Sequence, residues 1–216
     1  MSDEANPKVK MEPMFLPGVE NNPQPGPYAD AIDMMQAAGP EYPQIWHMFA
    51  FRPEATAHLA RLTQEIMREP GPLSPWLREL IAAYTSARNH CPFGLKSHAA
   101  IAAVLLEKES ATPIDGEEFV AGVLRYPETS GLSEKEKALF RFIDRVNHHS
   151  PEITPQDMQP LYAVGWDDAA IYYAITVCAL CNFYNRWIDA SGVHALSDEA
   201  HRQGGMRSAS TGYVRK

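Results

Sequence analysis

The sequence predicts an all-α fold, a helical bundle, and three observations carry that reading. From Tyr28 onward the segments are dominated by Leu, Ala, Met, Glu and Arg, while the Val/Ile/Thr alternation of strands is almost absent. Helix start signals recur: Ser74-Pro75, Ser133 with Glu136 three residues later, and Thr154-Pro155 each set a capping residue ahead of a good first turn. Hydrophobic residues make up 45% and charged residues 21% of the 216 residues, close to the globular average. A chain of this length and composition buries a sizeable core without disulfides, which excludes disordered, collagen-like and coiled-coil readings.

Six of the 18 prolines (Pro7, Pro13, Pro17, Pro23, Pro25, Pro27) fall in the first 27 residues and remove backbone donors there. Residues 1–27 are therefore expected as a Pro-rich arm without regular structure. Its Met11, Met14, Phe15 and Leu16 either dock on the body or a neighbouring subunit, or belong to a disordered tail. Helices are expected over Tyr28–Ala38, Pro53–Arg68, Pro75–Asn89, Pro92–Glu107, Gly116–Arg125, Glu134–His148, Pro155–Val164 and Asp167–Ala190, with a short one after His194. Gly131 and Gly165 stand where the chain must turn. The reading is one helical domain over residues 28–200 and a C-terminal tail over 201–216. Pro75–Glu107 and Asp167–Ala190 are the most apolar segments, the second nearly all round. Such a helix belongs in the middle of a bundle or in an oligomer interface, so a homo-oligomer is expected.

Nineteen Lys+Arg against 27 Asp+Glu leave a net charge of -8, the wrong sign for a protein that grips phosphate backbones, so nucleic acid is excluded as a partner. The amino terminus lacks the apolar core of a secretory signal. The longest nearly apolar stretch, Ala169–Cys181, is well short of the roughly 20 residues that span a bilayer. The expectation is a soluble, cytoplasmic protein with no membrane partner. Three cysteines are an odd number, so a cysteine that matters here matters as chemistry rather than as a disulfide framework.

The most informative stretch is ELIAAYTSARNHCPFGLKSHAAIA, residues 79–102. Pro92 marks a helix start and puts Cys91 at its N-cap, where unpaired N–H groups and the helix dipole are expected to lower the thiol pKa. His98 lies two turns further along that helix, about 10 Å along the axis, and does not touch Cys91 by helix geometry alone. If the flanking helices pack antiparallel, Glu79 comes level with His98. A carboxylate, an imidazole and a capping thiol would then line one pocket, the set needed to move a proton to or from a thiolate or a bound substrate. A lone Cys, Glu or His on a helix is more often structural, and the combined spacing is what gives these weight. His90, next to the thiol, is an accessory candidate, although a helix end is an ordinary place for a histidine. His148 and His149 read as a solvated helix end. Glu79, His90, Cys91 and His98 offer metal-ligand types, but their spacing matches no closed zinc pattern, so neither a metal nor a cofactor is expected. Cys178 and Cys181 lie in the apolar run AIYYAITVCALCNFY and read as core thiols with raised pKa. Asn182, Asn185, Arg186 and Asp189, on the same apolar helix, read as a structural polar network or an ion pair joining subunits.

Glu-x11-Cys-x2-Gly-x3-His, formed by Glu79, Cys91, Gly94 and His98, resembles the signature of the alkylhydroperoxidase D / carboxymuconolactone decarboxylase superfamily, where a second cysteine stands in place of the glycine. CNFYNRWIDASGV (181–193) and LSEKEKALFRFIDRV (132–146) resemble its peroxidase-related branch, so the likeness covers roughly residues 40–195. The resemblance implies an alkylhydroperoxidase-D-like bundle, a homotrimer or a hexamer built as a dimer of trimers, and a thiol-dependent antioxidant oxidoreductase of peroxiredoxin type that reduces organic or hydrogen peroxides. It implies Glu79 and His98 as proton relay and Cys91 as the upstream, resolving thiol, while Gly94 occupies the attacking position and has no sulfur. Three outcomes follow. Cys91 itself becomes the peroxidatic thiol, restored by an external thiol reductant. Alternatively Gly94 opens space for a small lactone acid and Glu79 and His98 handle protons, as in the decarboxylase branch. Or only the scaffold remains.

Overall fold

Prolines that open the helical segments of the sequence also open the helices of the fold. The computed structural model describes residues 9–215. Its helices are α1 (Pro17–Glu20), α2 (Pro27–Ala38), α3 (Ile45–Phe51), α4 (Pro53–Met67), α5 (Pro75–Arg88), α6 (Pro92–Glu109), α7 (Gly116–Arg125), α8 (Glu134–His149), α9 (Gln159–Ala163), α10 (Asp168–Ser191) and α11 (Asp198–Thr211). No strand occurs among the described residues. Proline occupies the first position of α1, α2, α4, α5 and α6, where its missing N–H has no helical partner to lose. Ser133 and Glu136 close a capping box at α8, and Asp115, Asp167 and Ser197 cap α7, α10 and α11 through their side chains.

The main core joins α5, α8, α9 and α10 through Leu80, Ile81, Leu139, Phe140, Ile143, Leu161, Val177 and Cys178. Helices α5 and α6 form the central hairpin, folding back on each other through residues 89–91, with α10 packed on α5 and α11 on α6. The hairpin turns at His90, the one non-glycine residue with positive φ (56°) among those described. Its N–H donates to Ala87 O at 3.1 Å and that of Cys91 to Ser86 O at 3.0 Å, which satisfies carbonyls left open at the end of α5.

Several expectations are corrected. The tail assigned to 201–216 is mostly α11, which continues the packing on α6. At Gly205 a Cβ would stand 2.8 Å from Ala100 Cβ, so the glycine permits the close approach of the two helices. Gly204 and Gly205 also weaken the local helix signal, and packing rather than propensity forms this helix. The N-terminal arm falls partly outside the described residues. Its described part contains α1 and docks on the body: Phe15 N donates to Ser191 O at 3.1 Å, Gln44 Nε2 donates to Glu12 O at 2.7 Å, and Met14 is buried. Burial of Met14 anchors a segment whose prolines leave few donors to satisfy. The expected helix Pro155–Val164 is a 3-10 turn, Pro155–Met158, followed by α9. α3 was not expected, although His47, Met48, Phe49 and Ala50 are all buried in it. Finally, α10 does not run through the middle of the chain's own bundle, because Tyr172 (62% exposed), Ile175 and Phe183 (49%) form an open apolar stripe along it. Among the described residues no single helix is long and apolar enough to cross a membrane.

His201 fastens α11 to α6. Its Nε2 accepts from Leu196 N at 3.0 Å, so Nδ1 carries the proton and faces Ser97 Oγ at 3.2 Å. Burial, and then the neighbouring Lys96, pushes His201 from 6.5 down to about 4. The folded state thus binds this proton less readily than the unfolded chain, and the contribution present above pH 6.5 is lost as pH falls toward 4. Urea midpoints measured across that interval are expected to fall for the wild type and to change less for His201→Gln.

Candidate active site

The hairpin carries Glu79 on α5 and His98 on α6, and it brings them into direct contact. His98 Nδ1–H donates to Glu79 Oε2 at 2.6 Å. Oε1 accepts from Tyr213 Oη at 2.7 Å and from Arg68 Nη1, Arg68 being the residue that follows α4. The carboxylate is 0% exposed, and such burial is tolerated because both oxygens are filled and one of the three donors is the Arg68 guanidinium, a permanent cation. Burial alone would push the Glu79 carboxyl up; the Arg68 guanidinium, then His98, and the hydrogen bonds of His98 and Tyr213 outweigh it and hold it down at about 2. Burial likewise disfavours charge on Arg68, and the Glu79 carboxylate overrides it and keeps the guanidinium protonated. The Tyr213 ring lies under that guanidinium, 4.7 Å from Cζ to centroid. An ionised carboxylate only accepts, so the proton of neutral His98 sits on Nδ1 and Nε2 is left with its lone pair. Nε2 makes no hydrogen bond among the described residues and is not a fully buried atom; the side chain is 17% exposed. The dyad presents one basic nitrogen at its outer edge.

Cys91 belongs to different surroundings. It stands at the N-cap of α6, as its position before Pro92 implies, with the backbone N–H groups of Phe93 and Gly94 near the thiol but no side-chain capping bond. Yet it is 1% exposed, in an apolar cluster with Met14, Met48, Phe93, Ile188, Val193 and Leu196. Burial, and then the Asp189 carboxylate beside it, pushes the thiol up to about 12 against the pull of the two N–H groups. The expected lowering by the helix terminus is therefore overturned by desolvation. No hydrogen bond joins Cys91 to His98 among the described residues, so the thiol is not a direct partner of the Glu79–His98 pair.

Gly94 does not open a space either. A Cβ built there would stand 2.8 Å from Asn185 Oδ1, 2.8 Å from Ser86 Oγ and 3.3 Å from Cys91 Sγ. Ser86 Oγ donates to Asn185 Oδ1 at 3.1 Å and touches Cys181 Sγ at 3.1 Å, so a polar cluster between α5 and α10 fills the volume. Cys181 is pushed up to about 12 by burial, and Cys178 is raised for the same reason, in keeping with core thiols. Asn182, Asn89 and Asn147 close a ring of three amide hydrogen bonds of 3.1, 2.6 and 3.0 Å that ties α5, α8 and α10 together within the chain. His90 is exposed and its ring makes no hydrogen bond among the described residues, so it does not serve the thiol. No group of three or more His, Cys, Asp or Glu that could hold a metal is present among the described residues. Sequence reasoning missed Arg68 and Tyr213. Arg68 looked like an ordinary helix end, and the only signal for Tyr213 is a lone aromatic residue in a polar terminal segment.

Two outcomes follow from this geometry. Gly94→Ala gains roughly 1 kcal/mol of helix propensity, but it must displace Ser86 or Asn185 at an overpacking cost of about 1–3 kcal/mol. The variant is expected to show a lower urea midpoint than the wild type. Glu79 has a lower pKa folded (about 2) than its ordinary value of 4.5, so its contribution is full above pH 4.5 and lost as pH falls toward 2. Glu79→Gln is expected to lose a few kcal/mol at neutral pH, because it leaves Arg68 buried without a counter-charge, and to have a flatter acid limb in pH-dependent urea unfolding.

Residues 53–111 match the carboxymuconolactone decarboxylase family model, a span that contains Arg68, Glu79, Cys91, Gly94 and His98. No curated protein matches the chain. Among solved structures it is similar to an uncharacterized peroxidase-related protein from Silicibacter sp. TM1040, with a TM-score of 0.70 and 21% identity over 85% of this chain and 91% of the other. It is also similar to an alkylhydroperoxidase AhpD core, an uncharacterized peroxidase-related protein from Ralstonia eutropha JMP134, with a TM-score of 0.66 and 21% identity over 92% and 98% of the two chains. At that identity the two structures show the shared fold, and the likeness to the carboxymuconolactone decarboxylase family is carried by residues 53–111, the segment that holds the dyad.

Proposed function

We propose that this protein is a proton-transfer enzyme of the decarboxylase type, acting on a small unsaturated lactone acid through Nε2 of His98. The observation that carries the reading is the 2.6 Å contact between His98 Nδ1 and the fully buried Glu79 carboxylate. Glu79 orients the imidazole and balances the charge when Nε2 takes a proton from solvent. In the step, the substrate carboxylate leaves as CO2. The electron pair of the broken carbon–carbon bond passes into the conjugated lactone carbonyl and is captured at carbon by the proton from Nε2. Substrate anion and one proton become lactone and CO2, and His98 is ready to take up the next proton. No cofactor enters this balance.

A second reading is a thiol peroxidase working through Cys91 with an external thiol reductant. The N–H groups of Phe93 and Gly94 beside the sulfur favour it, as do the peroxidase-related names of the two structures of the same fold. In it the Cys91 thiolate takes the terminal oxygen of a hydroperoxide, releasing the alcohol, and two equivalents of thiol return the sulfenic acid to the thiol with loss of water. The high thiol pKa and the cover provided by Met14 weigh against it. The exposed Tyr172, Ile175 and Phe183 stripe supports a homo-oligomeric assembly, trimeric or hexameric, under either reading.

The test is CO2 release from carboxymuconolactone, run beside intact-mass detection of a trapped sulfenic acid after cumene hydroperoxide. Glu79→Gln and His98→Gln are expected to lower lactone turnover by about 10²–10⁴-fold, with Cys91→Ser near wild type. No turnover in the wild type, together with a sulfenic adduct that vanishes in Cys91→Ser, would overturn the lyase reading in favour of the peroxidase. Silence in both assays would leave the scaffold.

A further inference from the structure

Residues 212–215, which follow α11, do not trail into solvent; they fold back across the dyad. Gly212 makes the turn with φ 73°, a backbone conformation that side-chain-bearing residues rarely adopt, and a Cβ there would press on Gln64 Oε1 at 2.3 Å. Gln64 Oε1 then accepts from Tyr213 N at 2.8 Å, and Tyr28 Oη donates to Tyr213 O at 3.3 Å. Beyond it the Arg215 guanidinium lies 3.7 Å over the Trp46 ring. This strap is fixed through both backbone groups of Tyr213 and through Arg215, and it delivers the Tyr213 side chain to the Glu79 carboxylate.

We propose that Tyr213 is a positioning residue of the Glu79–His98 dyad, brought by the C-terminal strap Gly212–Arg215, which aims the carboxylate and closes the Nδ1 side of His98 to water. The proposal rests on the proton-transfer reading of the dyad. A carboxylate offers two oxygens, and a ring that must point one nitrogen at a substrate needs one of them reserved. Tyr213 Oη and Arg68 occupy Oε1, which leaves Oε2 to His98 alone. The phenol oxygen is also 3.4 Å from His98 Nδ1, in the place a water would take to exchange that proton. Burial, and then the Glu79 charge, raises the phenol well above its ordinary range, so it stays a donor throughout the working pH range. Protons then enter and leave the dyad through Nε2 only, the side that faces outward.

The test reads the resting protein without substrate. Protein labelled with ¹⁵N-histidine is examined by proton NMR for the His98 Nδ1–H resonance, assigned by its absence in His98→Gln. The wild type is expected to show a downfield resonance in slow exchange with water. Tyr213→Phe removes only the phenol oxygen and should shift the resonance, because Glu79 has lost one donor and holds His98 more strongly, and should also speed its exchange with water, because the place beside Nδ1 is opened. Tyr213→Ala should lose the resonance to exchange. An unshifted resonance in Tyr213→Phe, or a proton in folded Tyr213→Ala as protected as in the wild type, would reduce Tyr213 to packing and overturn the proposal. If Tyr213→Ala does not fold, Tyr213→Phe decides alone. Absence of the resonance in the wild type would overturn the dyad and the proposal together, whereas failure of the lactone assay alone leaves this result standing.

Discussion

A carboxylate without solvent access has to be met from every side, and the architecture around Glu79 follows from that requirement. One oxygen takes Arg68 and Tyr213 and the other takes His98. These three partners come from the end of α4, the middle of α6 and the residues after α11, so a single charge draws together segments far apart in the chain. The arrangement is over-determined in the way a preorganised site needs: the imidazole is turned by a group that is itself held by two others. Removing any partner leaves a buried charge or donor unsatisfied, which is more costly than the loss of a surface ion pair.

Two electrostatic effects compete at Cys91, and the outcome separates the thiol from the dyad. The start of α6 sets N–H groups near the sulfur, which favours the thiolate. Burial in the cluster that includes Met14 and Met48, with Asp189 alongside, favours the neutral thiol and prevails. A helix terminus stabilises charge by a modest amount near a surface, whereas removal of a thiolate from water costs several times more. Part of that cover comes from the N-terminal segment, so the chemistry open to Cys91 depends on a contact made by residues outside the α5–α6 hairpin.

Helix α10 joins these two regions. Its inward face sets Cys178, Cys181 and Asn185 against α5, and Ser86 and Asn185 occupy the room that a side chain at position 94 would take. Gly94 is thus required by its neighbours as they now stand, and its lack of a side chain reflects close approach rather than an opening. The amide ring of Asn89, Asn147 and Asn182 fixes the turn of the hairpin to α8 and α10, so the segment connecting Glu79 to Cys91 and His98 is rigid at its bend.

Most helices were legible because their signals are local: proline at the first position, a capping box at Ser133, and apolar faces long enough to need a partner. The pairing of Glu79 with His98 was legible for a related reason, since a short link between two helices leaves little freedom in how they pack. The contributions of Arg68 and Tyr213, the cover over Cys91 and the filled space at Gly94 were not, because each is a contact between residues far apart in the chain. Helix α11 shows the same division, with two adjacent glycines that weaken its propensity and suit it to packing against Ala100. The sequence by itself determined the helices and the dyad that one hairpin brings together. Only the tertiary structure decided which groups neutralise the buried carboxylate and which thiol stays dry, since desolvation depends on everything that surrounds an atom and not on its neighbours in the chain.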